Sequence, residues 1–168
     1  MRHHPITIPD TASSRLPAGS KDDAYADEKK LYVFTKNARS LKADDRIEEL
    51  IRELAGVQWD VVLICETWRV EQSELWETRQ GHLFVGAGWG ENSRGVAILF
   101  RNSWKHSIKN VIYVNERVLA VDADLLGERF RFIAVYMPHG GYSDAKAQEV
   151  YATLLQLKTE AARRGRKS

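Results

Sequence analysis

The hydrophobic residues of this chain fall in short runs, and the most continuous run ends at a carboxylate. Residues 60–65 read Asp-Val-Val-Leu-Ile-Cys and are followed by Glu66. A run this short and this rich in β-branched side chains predicts a strand buried on both faces, which is typical of a parallel sheet. An earlier run of aromatic and β-branched residues, 31–36, predicts another strand, which ends at Asn37.

The segment between these two runs has a helical period. Ser40 is a candidate N-cap, two acidic residues fall in the first turn, and Gly56 supplies a C-terminal stop. Apolar residues at helical spacing form one stripe: Ile47, Leu50, Ile51 and Leu54. A strand, a helix and a strand in this order predict a parallel pair of strands joined by a crossover. We therefore expect Asn37 and Glu66 at the same edge of a sheet.

The second half of the chain alternates between apolar runs and turns. Residues 70–80 are polar and predict a loop or a short helix, whereas residues 82–85 predict a short strand. Four strand-like runs then follow in close succession: residues 95–101, 108–114, 117–124 and 129–136. Such close succession predicts antiparallel pairing and so a mixed sheet, with a hairpin turn at residues 126–127. Ser143 opens a second helix with one apolar side.

Composition and charge are typical of one globular domain. The chain has 168 residues, 43% hydrophobic and 29% charged, and its net charge of +2 does not by itself indicate a nucleic-acid partner. No apolar stretch approaches the ~20 residues that cross a bilayer, and no signal peptide is apparent. We expect an intracellular protein of the nucleus or cytoplasm, with no membrane partner.

Residues 1–29 show no helical or strand periodicity of apolar residues, and they predict a disordered tail before a domain at 30–168. Cys65, the only cysteine, predicts a buried, inert thiol.

Three polar residues, Asn37, Glu66 and Tyr136, each follow the end of a predicted strand. Mg²⁺ takes oxygen ligands, usually one or two carboxylates together with water, so Glu66 is a candidate metal ligand. The Asn37 amide can orient a phosphate or a metal-bound water, and the Tyr136 phenol can donate a hydrogen bond or carry a proton. For each residue alone a structural interpretation stays open: a solvated residue after a strand, a cap, or an interface tyrosine. Their shared position favours a site.

Four segments in consecutive order resemble the endonuclease/exonuclease/phosphatase superfamily: residues 34–37 (FTKN), 59–69 (WDVVLICETWR), 94–99 (RGVAIL) and 133–141 (IAVYMPHGG). The similarity begins near Leu31 and is greatest to the apurinic-endonuclease-like domains of non-LTR retrotransposon polyproteins and to craniofacial-development-protein-like sequences. It implies a two-sheet α/β sandwich and metal-dependent phosphodiester hydrolysis, usually of DNA. It also implies that Asn37 and Tyr136 are active-site residues and that Glu66 binds magnesium, or manganese in its place.

Two departures from the family pattern change the expected activity. Arg39 stands where many members carry an acid or a small polar residue, so it either weakens metal binding or contacts phosphate. The family's Gly-Asp-Phe-Asn strand, a later Asp and a terminal Asp-His pair have no counterpart in this sequence. The resemblance therefore implies a truncated domain, the mixed-sheet N-terminal half of an α/β sandwich, with weak binding of Mg²⁺ or Mn²⁺.

Three residues are further candidates for substrate contact. They are Arg39, Arg94 in a glycine-rich connection, and His139 in the loop after Tyr136. If they are functional, their side chains contact phosphates; if they are only structural, their side chains are solvated.

Two functions stay open. The first is part of a magnesium-dependent endonuclease acting on nucleic acid, with DNA as the favoured substrate. The second is a non-catalytic fragment of a decayed or truncated retroelement gene, at most a nucleic-acid or protein interaction module. The sequence does not indicate an oligomeric state.

Overall fold

Two β-sheets and two α-helices form the computed structural model, which describes residues 2–7, 29–90, 94–138 and 143–168. The strands are β1 (Arg2–Thr7), β2 (Lys30–Asn37), β3 (Val61–Cys65), β4 (Glu74–Glu77), β5 (Leu83–Ala87), β6 (Val96–Phe100), β7 (Ile108–Asn115), β8 (Val118–Leu125) and β9 (Glu128–Val135). The helices are α1 (Asp44–Leu54) and α2 (Asp144–Arg163), and a 3₁₀ turn spans Asn102–Ser107.

The larger sheet has the strand order β1-β2-β3-β6-β5-β4 and is mixed. Strands β2 and β3 are parallel, in a register that pairs Val33 with Val61 and Asn37 with Cys65, and all its other pairs are antiparallel. Since α1 connects β2 to β3, the predicted strand-helix-strand unit is confirmed. Its consequence is that the carboxyl ends of β2 and β3 lie side by side.

The smaller sheet has the order β7-β8-β9 and is antiparallel throughout. Its second hairpin turns at Leu126 and Gly127, whose φ angles of 55° and 81° are both positive. Two-residue hairpin loops of this kind match the right-handed twist of the flanking strands. The predicted turn at residues 126–127 is therefore confirmed.

The helices and sheets form four layers, because alternate side chains of each strand pack on opposite faces of its sheet. Along β3, Val61 packs between the two sheets, whereas Val62 and Ile64 face the stripe of α1. Along β8, Leu119 and Val121 face the larger sheet, while Val118 and Ala120 face α2; the residues of α2 in this cluster are Val150, Leu154 and Leu157. The order α1, larger sheet, smaller sheet, α2 confirms the α/β fold with a mixed sheet that the sequence predicted.

Local structure differs from the sequence-based expectations at two places. Ser40 does not cap α1: the N-cap is Ala43, and Ser40 lies earlier in the loop with φ of 107°. Residues 70–80 are not only a loop or short helix, because they contain β4, whose Trp76 pairs with Phe84 of β5. A four-residue edge strand depends on backbone partners distant in sequence, which a local pattern does not reveal.

Residues 2–7, which lie within the expected N-terminal tail, form strand β1. Residues 2–7 pair antiparallel with β2 at the edge of the larger sheet. Pro5, which has no backbone N–H, is compatible with an edge strand. Met1 and residues 8–28 of the expected tail lie outside the described residues. In the part of the chain that is described, no helix is long and apolar enough to cross a bilayer.

Candidate active site at the edge of the larger sheet

Asn37 and Glu66 meet at the carboxyl ends of β2 and β3. The Asn37 amide Nδ2 donates a hydrogen bond to Glu66 Oε1 over 2.7 Å. The other end of the amide is also held, because Asn37 Oδ1 accepts the backbone N–H of Arg39 at 3.2 Å. A carboxylate on a half-buried residue is thus given one orientation by an amide that is itself fixed at both ends.

The two loops that carry these residues have strained backbones. Positive φ angles occur at four non-glycine residues: Arg39 (49°), Ser40 (107°), Glu66 (57°) and Trp68 (58°). Backbone hydrogen bonds join the loops, with Ser40 N donating to Glu66 O at 2.9 Å and Leu41 N donating to Thr67 O at 2.7 Å. Strain of this kind persists only where surrounding contacts impose it, and it is concentrated at functional sites.

Arg69 fixes the far end of the loop that follows Glu66. Its guanidinium donates to the Glu74 carboxylate through Nε and Nη2, to Asp44 at 2.9 Å and to the carbonyl of Leu41 at 3.1 Å. It also lies over the ring of Trp76, at 5.8 Å from the centroid. One side chain therefore connects the Glu66 loop, the start of α1 and β4.

Gly95 supports the same loop from the side of β6. Its carbonyl accepts the N–H of Thr67 at 3.1 Å, and the carbonyl of Arg94 accepts the N–H of Trp68 at 2.7 Å. Gly95 has φ of +105°, and a Cβ added there would lie 2.3 Å from Thr67 Oγ1. Only glycine suits this position, because any larger residue would displace the residue next to Glu66.

Cys65 lies directly before Glu66 and is half-buried. Burial, and after it the neighbouring Glu66 carboxylate, raises the pKa of the Cys65 thiol above its usual value. The thiol is therefore protonated at neutral pH, and a protonated thiol is a poor nucleophile. The expectation of an inert cysteine agrees with this environment.

Tyr136 directly follows β9 and approaches the same edge from the smaller sheet. Val135, its neighbour, lines one groove together with Asn37 and Cys65. The structure therefore brings the strand ends of all three predicted residues, Asn37, Glu66 and Tyr136, to one region of the molecule. The guanidinium of Arg94 forms an ion pair with Glu116 at 2.9 Å, and the predicted contact residue His139 lies outside the described residues. Arg39 is exposed beside Asn37.

Sequence reasoning missed two arginines that organise this edge, Arg69 and Arg117. Arg117 is 1% exposed, and its guanidinium lies over the ring of Tyr136. Arg117 begins an apolar run and Arg69 directly follows Trp68, and at both positions a solvated charge is the usual interpretation. The only local signal is the abrupt change from apolar to cationic residues, which does not identify a partner.

The donor set at this edge suits a metal that keeps most of its water. In the described ranges, no three His, Cys, Asp or Glu side chains gather as a metal-binding group. Glu66 Oε1 accepts from Asn37, and its Oε2 receives no hydrogen bond from any described residue. Mg²⁺ is often bound through one or two protein carboxylates, with water and substrate oxygens completing its shell. Glu66 fits this role as a single, oriented ligand.

Comparison with known proteins agrees with the fold. Residues 27–168 match the model of a family described as the Endonuclease/Exonuclease/phosphatase family. No curated protein matches the chain. The matched range contains β2 to β9, both α-helices and the three residues at the sheet edge, Asn37, Glu66 and Tyr136.

Proposed function

The chain belongs to the Endonuclease/Exonuclease/phosphatase family of hydrolases, and we propose from this premise that it carries the metal-binding part of a magnesium-dependent phosphodiesterase acting on nucleic acid. The observation that carries the proposal is the 2.7 Å hydrogen bond by which Asn37 orients Glu66 at the ends of two parallel strands. Carboxylates at such strand ends face the ligand in open α/β sheets. DNA is the substrate we propose, as in the retrotransposon apurinic-endonuclease-like domains that the sequence resembles.

Each residue at the edge has a distinct part in this proposal. Glu66 holds Mg²⁺ or Mn²⁺ weakly, because one protein carboxylate leaves most of the coordination shell to water and substrate. When bound, the ion supplies positive charge beside the phosphate. Asn37 fixes the Glu66 carboxylate, and the Tyr136 phenol donates a hydrogen bond toward the phosphate. Arg39, exposed beside Asn37, contacts the nucleic-acid backbone.

We further propose that these residues form an incomplete site. Phosphodiester hydrolysis also needs a group that takes the proton from the attacking water and donors for the developing negative charge. An open groove between β2, β3 and β9 supports this view: half-buried Val33, Leu63 and Ile133 line it. Lys167 already forms a parallel bridge to Phe130 beside β9. Additional strands packed along this groove would bring further polar residues to the edge where Asn37 and Glu66 lie.

A second candidate function follows from the small number of acidic groups at the edge. A single oriented carboxylate supports binding more readily than turnover, which favours a non-catalytic nucleic-acid or protein interaction module, derived from a retroelement gene. The two candidate functions differ in one outcome: whether adding strands along the open groove gives a chain that hydrolyses phosphodiesters.

The test is a nicking assay on supercoiled and abasic-site DNA with Mg²⁺. It compares the 168-residue chain with a chimaera that carries, after Ser168, the C-terminal strands of an active family member, each with and without Glu66→Gln. We expect background nicking by the chain and Glu66-dependent nicking by the chimaera. A folded chimaera that binds DNA without nicking it would favour the interaction module. Robust, Glu66-dependent nicking by the chain alone would show that the site is already complete.

A further inference from the structure

Arg117 carries a buried charge at the turn between β7 and β8. The residue is 1% exposed, and the carboxylate of its neighbour Glu116 lies 4.0 Å from Nε. Removing a guanidinium from water costs several kcal/mol before its contacts compensate, and an apolar side chain of similar size avoids this cost. A core position alone therefore does not explain an arginine here, and its contacts need a separate account.

Those contacts converge on Tyr136. The Arg117 carbonyl accepts the N–H of Tyr136 at 2.8 Å, and Arg117 Nη1 donates to the Tyr136 carbonyl at 3.3 Å. The central carbon of the guanidinium lies 5.2 Å from the centroid of the tyrosine ring, within the range of a cation–π contact. Arg117 thus holds the N–H, the carbonyl and the ring of one residue.

The turn that carries Arg117 is itself tied to the loop of Glu66. Asn115 Oδ1 accepts the N–H of Arg117 at 2.9 Å and the N–H of Val118 at 3.0 Å, which fixes the turn. The Glu116 carbonyl accepts the N–H of Gly95 at 3.1 Å, and Gly95 in turn accepts the N–H of Thr67. Two successive backbone hydrogen bonds therefore join this turn to the residue that follows Glu66.

We propose that Arg117 is a positioning residue, which fixes the ring of Tyr136 relative to the Glu66 carboxylate across the two sheets. The guanidinium is essential because it lies over the ring and donates to the carbonyl at the same time, which a lysine ammonium does not reproduce. This inference rests on the proposed function only in giving Tyr136 a part in the reaction. The geometry it describes is testable without turnover.

The test is ¹⁹F NMR of the chain labelled with 3-fluorotyrosine, in which Tyr136→Phe assigns one signal among six tyrosines. Arg117→Met should shift the Tyr136 signal by more than its linewidth toward that of an unfolded chain. Arg117→Lys should also shift it, because an ammonium does not place a guanidinium over the ring. The signal of Tyr151, which is 62% exposed on α2, should not move. The matched control is Arg129→Met, which removes an exposed arginine from β9 and should leave the Tyr136 signal in place.

An unshifted Tyr136 signal in folded Arg117→Met would overturn the proposal. So would a shift of every tyrosine signal in step with lost stability, which is the mark of a general structural role. If Arg117→Met does not fold, Arg117→Lys decides the matter by the same criterion. Titration of Mn²⁺ into the same samples tests the proposed function separately. Glu66-dependent Mn²⁺ binding with an unshifted Tyr136 signal would reject only the positioning role, and a shifted signal without Mn²⁺ binding would reject only the metal site.

Discussion

Asn37 and Glu66, 29 residues apart in sequence, are joined side chain to side chain by a hydrogen bond of 2.7 Å. The sequence suggested that the Asn37 amide faces a phosphate or a metal-bound water. The structure shows that the amide acts on the carboxylate itself, while its oxygen accepts the N–H of Arg39. The orientation of the Glu66 oxygens is therefore set before any ligand binds.

This arrangement predicts that metal affinity depends on both residues, in unequal degree. Glu66→Gln removes the ligand and should abolish measurable Mn²⁺ binding, with Mg²⁺ as the competitor. Asn37→Ala leaves the ligand but frees it, and loss of a residue that orients a ligand typically costs about 10–100-fold in affinity. Electron paramagnetic resonance of free Mn²⁺ measures the Mn²⁺ affinity of both variants. Glu53→Gln, at an exposed carboxylate on α1, is the control and should bind as the wild type does. Equal affinity in wild type and Glu66→Gln would remove Glu66 from the metal site.

The contact of Gly95 with the Glu66 loop predicts a large effect from one methyl group. Gly95→Ala must accommodate φ of +105° and a Cβ placed 2.3 Å from Thr67 Oγ1. A backbone strain of this type costs about 1–3 kcal/mol, so the free energy of unfolding should fall by at least that much. Gly56→Ala is the control, because its φ is not in the left-handed region and no atom lies within 4 Å of the added Cβ. Urea unfolding, followed by tryptophan fluorescence, should give a lower free energy of unfolding for Gly95→Ala than for Gly56→Ala. Equal free energies of unfolding would contradict the close approach of Gly95 to Thr67.

The buried pair Arg131–Asp122 predicts a larger loss of stability than any surface pair. The side chains are 0% and 2% exposed, and Arg131 donates to Asp122 through Nε at 2.6 Å and Nη2 at 2.9 Å. Its Nη1 also donates to the Leu157 carbonyl of α2 at 3.1 Å. Arg131→Met leaves the buried Asp122 carboxylate with only the longer contact to Arg166 Nε at 3.4 Å, so it should destabilise the fold by up to about 3–5 kcal/mol.

Two comparisons test that explanation. Lys36→Met removes an ion pair to Glu53, whose side chain is 62% exposed, and should cost no more than about 1 kcal/mol. The double variant Arg131→Met with Asp122→Leu removes both charges and should recover part of the stability lost in the single variant. If the double variant is as unstable as Arg131→Met alone, the loss of stability comes from packing and not from the Asp122 charge left without Arg131.

The sequence predicted the parts of this fold that depend on local pattern. The apolar run of β3, the stripe of α1 and the Leu126–Gly127 turn each carry their own signal. Strand β4 and the partners of Arg69 and Arg117 do not, because each depends on contacts between residues distant in sequence. The same holds for the candidate site. Asn37 and Glu66 could be predicted because they follow the ends of predicted strands, whereas the residues that hold their loops became apparent only in the folded chain.

His82 links stability to pH through one half-buried imidazole. Its Nδ1 accepts the N–H of Asn102 at 3.0 Å, and its ring lies 4.9 Å from the ring of Trp59. Burial, and after it the charge of Arg101, lowers the pKa of His82 below its usual value of 6.5. Between the folded and the unfolded pKa the unfolded chain therefore binds more protons. The His82 contribution is fully present above pH 6.5 and is lost as pH falls through the lowered folded pKa.

We accordingly expect the urea midpoint to decrease from pH 7 to pH 5, because protonated Nδ1 no longer accepts the Asn102 N–H. His82→Asn offers an amide oxygen near the same position without a titrating group, so it should flatten the decrease. His106→Asn, at an exposed histidine, should retain the wild-type slope. Glu53, whose pKa is lowered by its hydrogen bond and charge interaction with Lys36, contributes at lower pH, since its unfolded value is 4.5. A slope in His82→Asn as steep as that of the wild type would assign the pH dependence to other groups.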